Sequence, residues 1–161
     1  MLGLFGRPAS IRRIGPEYGG ACAKIHARSF AHPWGAGEFE SLLAARNVVG
    51  HGAFIRLLWG GRVLAGFVLS RLAADSAEIL TIAVVPRARG KGLGGALLAT
   101  HLAQLAASGA KSLFLEVEAE NRAALALYRR FDFYEVGARK AYYRTADGNR
   151  AGALILRRDL D

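Results

Sequence analysis

Ile79-Leu-Thr-Ile-Ala-Val-Val-Pro-Arg-Ala-Arg-Gly-Lys-Gly-Leu-Gly-Gly-Ala-Leu-Leu98 is the stretch whose reading decides the fold. Its first part is rich in β-branched and aliphatic residues, and Pro86 stops it, so Glu78–Val85 reads as a buried strand. The chain then passes through Gly90, Gly92, Gly94 and Gly95. From Leu93 the apolar pattern has helical period until Ser108-Gly109, and Gly109 is placed to cap that helix end. Glycines allow positive φ and let backbone approach a ligand closely. The N–H groups at a helix start, with the helix dipole behind them, suit a phosphate or pyrophosphate. Arg87, Arg89 and Lys91 add positive charge at the same place.

Other phosphate loops fit this stretch less well. A Walker loop needs Ser or Thr after Gly-Lys, and Gly92 follows Lys91. Gly90, Gly92 and Gly95 satisfy G-x-G-x-x-G formally, and Glu116 lies 21 residues after Gly95. Spacing alone therefore leaves a dinucleotide fold open. The order of elements argues against it, because the strand does not begin a βαβ series. A glycine cluster standing alone would more simply be a flexible strand-to-helix turn.

Working outward, Ser10–Ile14 reads as a short strand and Pro16 opens a helix through about Phe30. Pro33-Trp34-Gly35 breaks the chain before a second short helix over Glu38–Ala45. Ala53–Trp59 and Arg62–Arg71 are apolar runs around Gly60-Gly61, a hairpin signal. Ser112–Glu118 alternates, with Leu113, Leu115 and Val117 on one side and Phe114, Glu116 and Glu118 on the other. Asn121 begins a helix through about Arg130. Tyr134–Tyr143 and Ala151–Arg157 close as strands around the Asp147-Gly148 turn. The order predicts a mixed α/β (α+β) fold: an antiparallel meander, a strand–helix–strand crossover, another helix and a final hairpin.

The segment Leu115-Glu-Val-Glu-Ala-Glu-Asn-Arg-Ala-Ala-Leu-Ala-Leu-Tyr128 is the second informative stretch. Asn121 is a good N-cap, and Leu125 and Tyr128 share a helix face. By itself this is a capped amphipathic helix with an aromatic core residue, and Glu118 and Glu120 read as solvated carboxylates. Glu116 is less ordinary, because it interrupts an apolar strand.

Taken together, the two stretches resemble the GNAT acetyltransferases. Arg89-Gly-Lys-Gly92-Leu-Gly94 is similar to the family's R/Q-x-x-G-x-G/A pyrophosphate motif, with Arg87–Gly92 an overlapping register. The resemblance implies a GNAT fold with a mixed, mostly antiparallel sheet of six to seven strands flanked by about four helices. It implies acetyl-CoA as co-substrate, held by Ile82, Ala83, Val84, Arg89, Gly90, Lys91, Gly92, Leu93, Gly94 and Asn121, with Tyr128 beside the coenzyme sulfur. Glu116 in its Leu-Glu-Val setting resembles the general base of the RimI-like ribosomal-protein alanine acetyltransferases. Ala31-His-Pro-Trp34 looks like that group's Phe-Pro-Trp loop, and Arg139-Lys-Ala-Tyr142-Tyr143 with Asp147-Gly148 looks like its last hairpin. The resemblance runs from about Ile11 to Leu160. It implies an acceptor site involving Trp34, Glu118, Tyr142 and Tyr143, and an acceptor that is the N-terminal alanine of a small-subunit ribosomal protein. His32, Gly35, Glu118 and Asp132 depart from the group's pattern, Asp132 standing where a left-handed Gly is usual.

Composition sets the frame. At 161 residues with 52% hydrophobic side chains, the chain predicts a single globular domain over 1–161. No apolar run approaches the roughly 18 residues of a membrane span, and no secretory signal is visible. Cys22 is the only cysteine, which excludes an internal disulfide and suits the cytoplasm. His26, His32, His51 and His101 have no ligand spacing, so no metal is expected. The balance of 22 basic and 13 acidic residues, net +9, favours an anionic partner without choosing among nucleic acid, cofactor and solubility. Two rival functions stay open: a GNAT enzyme for a small amine or a lysine side chain, and a non-catalytic acyl-CoA- or RNA-binding module.

Overall fold

The β-branched and small residues between Val48 and Val84 build three successive long strands, which form the middle of the fold. The computed structural model describes residues 9–144 and 150–160, with the backbone alone for 141–144, 150 and 151. Along the chain come β1 (Ser10–Arg13), a 3-10 turn (Pro16–Tyr18), α1 (Gly19–Ala27), α2 (Ala36–Ala44), β2 (Val48–Arg56), β3 (Arg62–Ala73) and β4 (Ser76–Val84). A second 3-10 turn (Pro86–Ala88) precedes α3 (Leu93–Ala107), β5 (Ser112–Glu118), α4 (Arg122–Arg130), β6 (Tyr134–Arg144) and β7 (Arg150–Asp159). The sheet has seven strands in the order β1-β2-β3-β4-β5-β7-β6. The expected mixed sheet with four helices is present. Its parallel pairing is β4 with β5, over Ser76–Glu78 and Ser112–Phe114. The last strand folds back between β5 and β6, pairing Glu116 with Ile155 on one side and Gly137 with Ile155 on the other. Among the described residues no helix is long and apolar enough to cross a membrane.

Several boundaries differ from the sequence reading for identifiable reasons. Strand β2 begins at Val48, five residues before the expected Ala53, because Gly50 and Gly52 hide its apolar character. A Cβ at Gly50 would lie 2.7 Å from Leu43, and one at Gly52 would lie 2.6 Å from Leu64. These glycines are therefore packing positions, not breaks. The first helix ends at Ala27, not near Phe30, and starts as a 3-10 turn over Pro16–Tyr18. Strand β5 and the Asn121 cap fall where expected, with Asn121 Oδ1 accepting from Ala124 N–H at 3.2 Å. Asp132 takes φ 63°, the left-handed conformation expected there. Phe133 N–H donates to Tyr128 C=O and Asp132 N–H to Arg129 C=O, which closes α4 as a Schellman motif. The Asp147-Gly148 turn lies outside the described residues.

By backbone contacts the chain divides into two compact units. The first comprises Met1–Arg71 and Leu80–Ala103, the second Leu72–Ile79 and Gln104–Asp161. The first unit's core gathers Ile14, Cys22, Ile25, Phe39, Phe54, Phe67 and Leu69. It also holds a buried polar chain that joins β2, β3 and α3. His51 Nδ1 lies 2.7 Å from His101 Nδ1, and His101 Nε2 lies 2.6 Å from Ser70 Oγ. All three side chains are buried. Each contact needs one donor and one acceptor, so a neutral His101 carrying its proton on either nitrogen satisfies both contacts once its neighbours choose the matching tautomer and rotor.

Burial, with nearby Arg13 adding repulsion, lowers the His51 pKa to about 4. Burial, then His51 and Arg13, lowers that of His101 to about 3. Both folded values lie below the ordinary value near 6.5. The unfolded chain therefore binds protons first as pH falls, and stability present above about pH 6.5 is lost toward pH 4. Urea unfolding midpoints at pH 7.5, 6 and 5 should fall measurably before ordinary carboxylates begin to titrate. A flat midpoint across that window would contradict this account.

Candidate active site

The expected coenzyme end lies where β4 turns into α3. Gly90 and Gly92 have φ 74° and 83°, conformations that L side chains rarely adopt. A Cβ at either would meet no protein atom within 4 Å, so both positions border open space. Ala96 N–H donates to Gly92 C=O at 3.0 Å, which makes Gly92 the residue that opens α3. The N–H groups of Leu93, Gly94 and Gly95 therefore have no partner within the helix. Gly94 lies inside the first turn of α3, which starts at Leu93 as the apolar pattern predicts. Exposed Arg87 and Lys91 flank the turn. A left-handed glycine cradle, a helix start and flanking cations fit a pyrophosphate.

Arg89 has a role that sequence could not show. Its Nε donates to Val84 C=O at 3.0 Å and its Nη2 to Ser29 Oγ at 2.9 Å. Ser29 Oγ in turn donates to Ile25 C=O. The guanidinium thus ties the turn to the end of α1 and to the last residue of β4. Strand β4 pairs with β5 only through Glu78, yet it continues to Val84. Ile82, Ala83 and Val84 lie on that continuation, where backbone groups outside the β5 ladder could bond an extended ligand such as a pantetheine arm. Thr81 Oγ1 is the buried side-chain atom without a partner among the described residues.

In the first unit an aromatic stack positions Trp34. His26 stacks on Phe30 at 4.2 Å and on Trp34 at 5.0 Å between ring centroids. The backbone N–H of Trp34 donates to His26 Nδ1 at 3.0 Å, so the imidazole must be neutral at that nitrogen. Burial lowers its pKa, which agrees. Trp34 lines a cavity of about 640 Å³ with Gly37, Glu38, Ser41, Leu42, Arg71 and Leu80. From sequence, Arg71 was only the end of an apolar run and His26 only a histidine without ligand spacing.

The second unit carries the acid–base candidates. Strand β5 buries Leu113, Leu115 and Val117 and exposes Glu116 and Glu118, as the alternation predicts. Arg139 Nε stands 3.6 Å from Glu116 Oε1, an ion pair open to solvent and of modest strength. Tyr128 packs edge-on against Phe133 at 5.5 Å. Burial pushes its phenol up to about 12, so it stays protonated at neutral pH. Among the described residues no hydrogen bond holds that hydroxyl. Tyr142 and Tyr143 belong to β6, but their side chains lie outside the described residues. Cys22 is fully buried, its thiol pushed up to about 12, which leaves no thiolate for covalent catalysis. Among the described residues no three His, Cys, Asp or Glu side chains gather to hold a metal.

The profile described as Acetyltransferase (GNAT) family matches residues 20–133, a span that includes the glycine turn, Glu116 and Tyr128. The chain belongs to the GNAT acetyltransferase family. It is an acetyl-CoA-dependent N-acetyltransferase. It is 36% identical over 136 residues to the [Ribosomal protein bS18]-alanine N-acetyltransferase of Escherichia coli K12, covering 84% of this chain and 87% of that protein. It is also 36% identical over 143 residues to the N-alpha-acetyltransferase RimI of Mycobacterium tuberculosis, covering 86% and 84%. The crystal structure of the Escherichia coli ribosomal-protein-S18-alanine N-acetyltransferase superposes with TM-score 0.84 at 31% identity, over 95% of this chain and 94% of that one. An Arabidopsis thaliana protein solved in complex with acetyl-CoA shares the fold at TM-score 0.78 and 20% identity, over 94% of this chain and 98% of that one.

Gly92→Val should weaken acetyl-CoA binding at least tenfold by calorimetry. It forces a β-branched residue into φ 83° and places side-chain atoms in the cradle. Circular dichroism should remain that of a folded protein. Unchanged affinity in a folded variant would move the pyrophosphate site elsewhere.

Proposed function

We propose that this enzyme, acting as one domain over 1–161, acetylates the N-terminal α-amine of a small-subunit ribosomal protein that begins with alanine. The observation that carries the reading is Glu116, an exposed carboxylate in a Leu-Glu-Val strand. Its chain is 36% identical to a [Ribosomal protein bS18]-alanine N-acetyltransferase over most of its length. The reaction belongs in the cytoplasm, where ribosomal proteins are made.

Acetyl-CoA supplies the activated acyl group and a thiolate leaving group. The glycine turn and the start of α3 hold its pyrophosphate, Ile82–Val84 offer backbone bonds to its arm, and Asn121 adds a polar contact. An α-amine has a reference pKa near 8, so it arrives mostly protonated and must lose a proton before it attacks. Glu116 accepts that proton, through water. A backbone N–H near Ala83 or Val84 receives the oxyanion. Tyr128 stabilises the departing sulfur. Its phenol, at about 12, is a weaker acid than an ordinary thiol near 8.5, so a hydrogen bond is its main contribution and full proton transfer the lesser one. Trp34 and Glu118, with Tyr142 and Tyr143, form the acceptor contacts.

Glu116→Gln should reduce turnover by about 10²-fold or more near pH 7. The deficit should shrink above pH 8, where the amine deprotonates itself. Tyr128→Phe should slow turnover with acetyl-CoA affinity largely kept. Full activity in both variants would remove these roles.

The acceptor is tested with an Ala-initiated peptide continuing in aromatic and basic residues. It is compared with the same peptide already N-acetylated, with free lysine and with a polyamine, by thiol release and mass spectrometry. Product on the α-amine alone is expected. Product only from the polyamine, or on lysine of the blocked peptide, would replace the N-terminal acceptor and leave the family assignment intact.

A further inference from the structure

The β2–β3 hairpin ends in a feature that coenzyme binding and acyl transfer do not use. Leu57 N–H donates to Gly61 C=O and Gly60 N–H to Leu57 C=O, both at 3.1 Å. Gly60 and Gly61 take φ 93° and 80°, which fixes a tight turn. The turn presents Leu58 and Trp59 to solvent, 68% and 78% exposed. Directly below it Arg56 stands opposite Arg62 in the strand register. Like charges in that position repel one another. Strand alternation puts Arg12, opposite Gly52, on the same sheet face. Its guanidinium lies 4.4 Å over the Phe54 ring.

Nothing nearby in sequence neutralises these charges. No Asp or Glu occurs in Met1–Pro16 or in Ser41–Ala74. The ion pairs Glu116–Arg139 and Arg157–Asp159 lie in the other unit. A solvent-facing indole and a repelling pair of arginines each cost stability in the free protein. A ligand that is both anionic and aromatic relieves both.

We propose that this hairpin end binds single-stranded RNA, an unpaired base stacking on Trp59 while Arg56 and Arg62 hold the adjoining phosphates. Stacking on an exposed aromatic flanked by cations is how proteins commonly take unpaired nucleotides. An anionic membrane fits less well, since two apolar side chains bury too little area to anchor a surface helix's worth of binding. An acidic protein fits less well too, because a narrow tip does not supply the roughly 800 Å² per partner of a stable interface. The choice of RNA as the nucleic acid rests on the ribosomal acceptor proposed above.

The test uses the full chain and a fluorescein-labelled oligouridine of about 12 nucleotides, read by anisotropy over a range of salt concentrations. Trp59→Ala should weaken binding about tenfold and Trp59→Phe much less. Arg56→Gln and Arg62→Gln should each reduce the salt slope by about one. Acetylation of the Ala-initiated peptide should be unchanged in all four variants. No binding, equal binding by Trp59→Ala, or tighter binding to duplex RNA or single-stranded DNA would overturn the proposal. So would stronger binding to phosphatidylglycerol vesicles or equal competition by polyglutamate. RNA binding without peptide acetylation would support the contact and overturn only the acceptor reading.

Discussion

The glycine turn depends on how closely β3 passes the joint between β4 and α3. At Gly66 a Cβ would lie 3.0 Å from Ala83 C=O and 3.1 Å from Leu97, tighter than side chains usually tolerate. That contact brings strand backbone, strand end and helix together without an intervening side chain. Val85 N–H donates to Ala65 C=O at 2.8 Å and keeps the end of β4 on β3. Gly90 and Gly92 can then turn the chain within seven residues of Val85. The exposed helix start is a consequence of this close packing as much as of the motif itself.

One turn further along the same face the helix is fixed by polar groups. A Ser70–His101–His51 chain in a hydrophobic interior costs desolvation, and it is tolerable because every contact has a matching donor and acceptor. It specifies one rotation of α3 more sharply than leucines would, since rotating the helix would orphan three buried polar groups. Arg89 does similar work at the surface, tying the turn to Ser29 and Val84 with charge-assisted bonds.

In the second unit the contrast between two ionisable groups matters. Glu116 is solvent-accessible and paired loosely with Arg139, which suits a carboxylate that exchanges protons through water. Tyr128 is buried and retains its proton. Their chemistry differs because one lies on the polar face of a strand and the other on the apolar face of α4.

The sequence alone determined everything carried by local pattern. The glycine turn, the alternation of β5, the Asn121 cap and the left-handed Asp132 depend on backbone conformation and on neighbours within a few residues. A family resemblance read from those segments was enough to name the chemistry. The early start of β2 was hidden, because Gly50 and Gly52 make way for Leu43 and Leu64, which are distant in sequence or across a strand. The insertion of β7 between β5 and β6 was also hidden, since a hairpin pattern does not say which strand meets the sheet. Only the tertiary structure tied Arg89 to Ser29 and Val84, paired Arg139 with Glu116 and set Trp34 on His26. It also joined His51, Ser70 and His101, which are 19 to 50 residues apart. Those contacts arise when separate elements are packed together, and no periodicity along the chain encodes them.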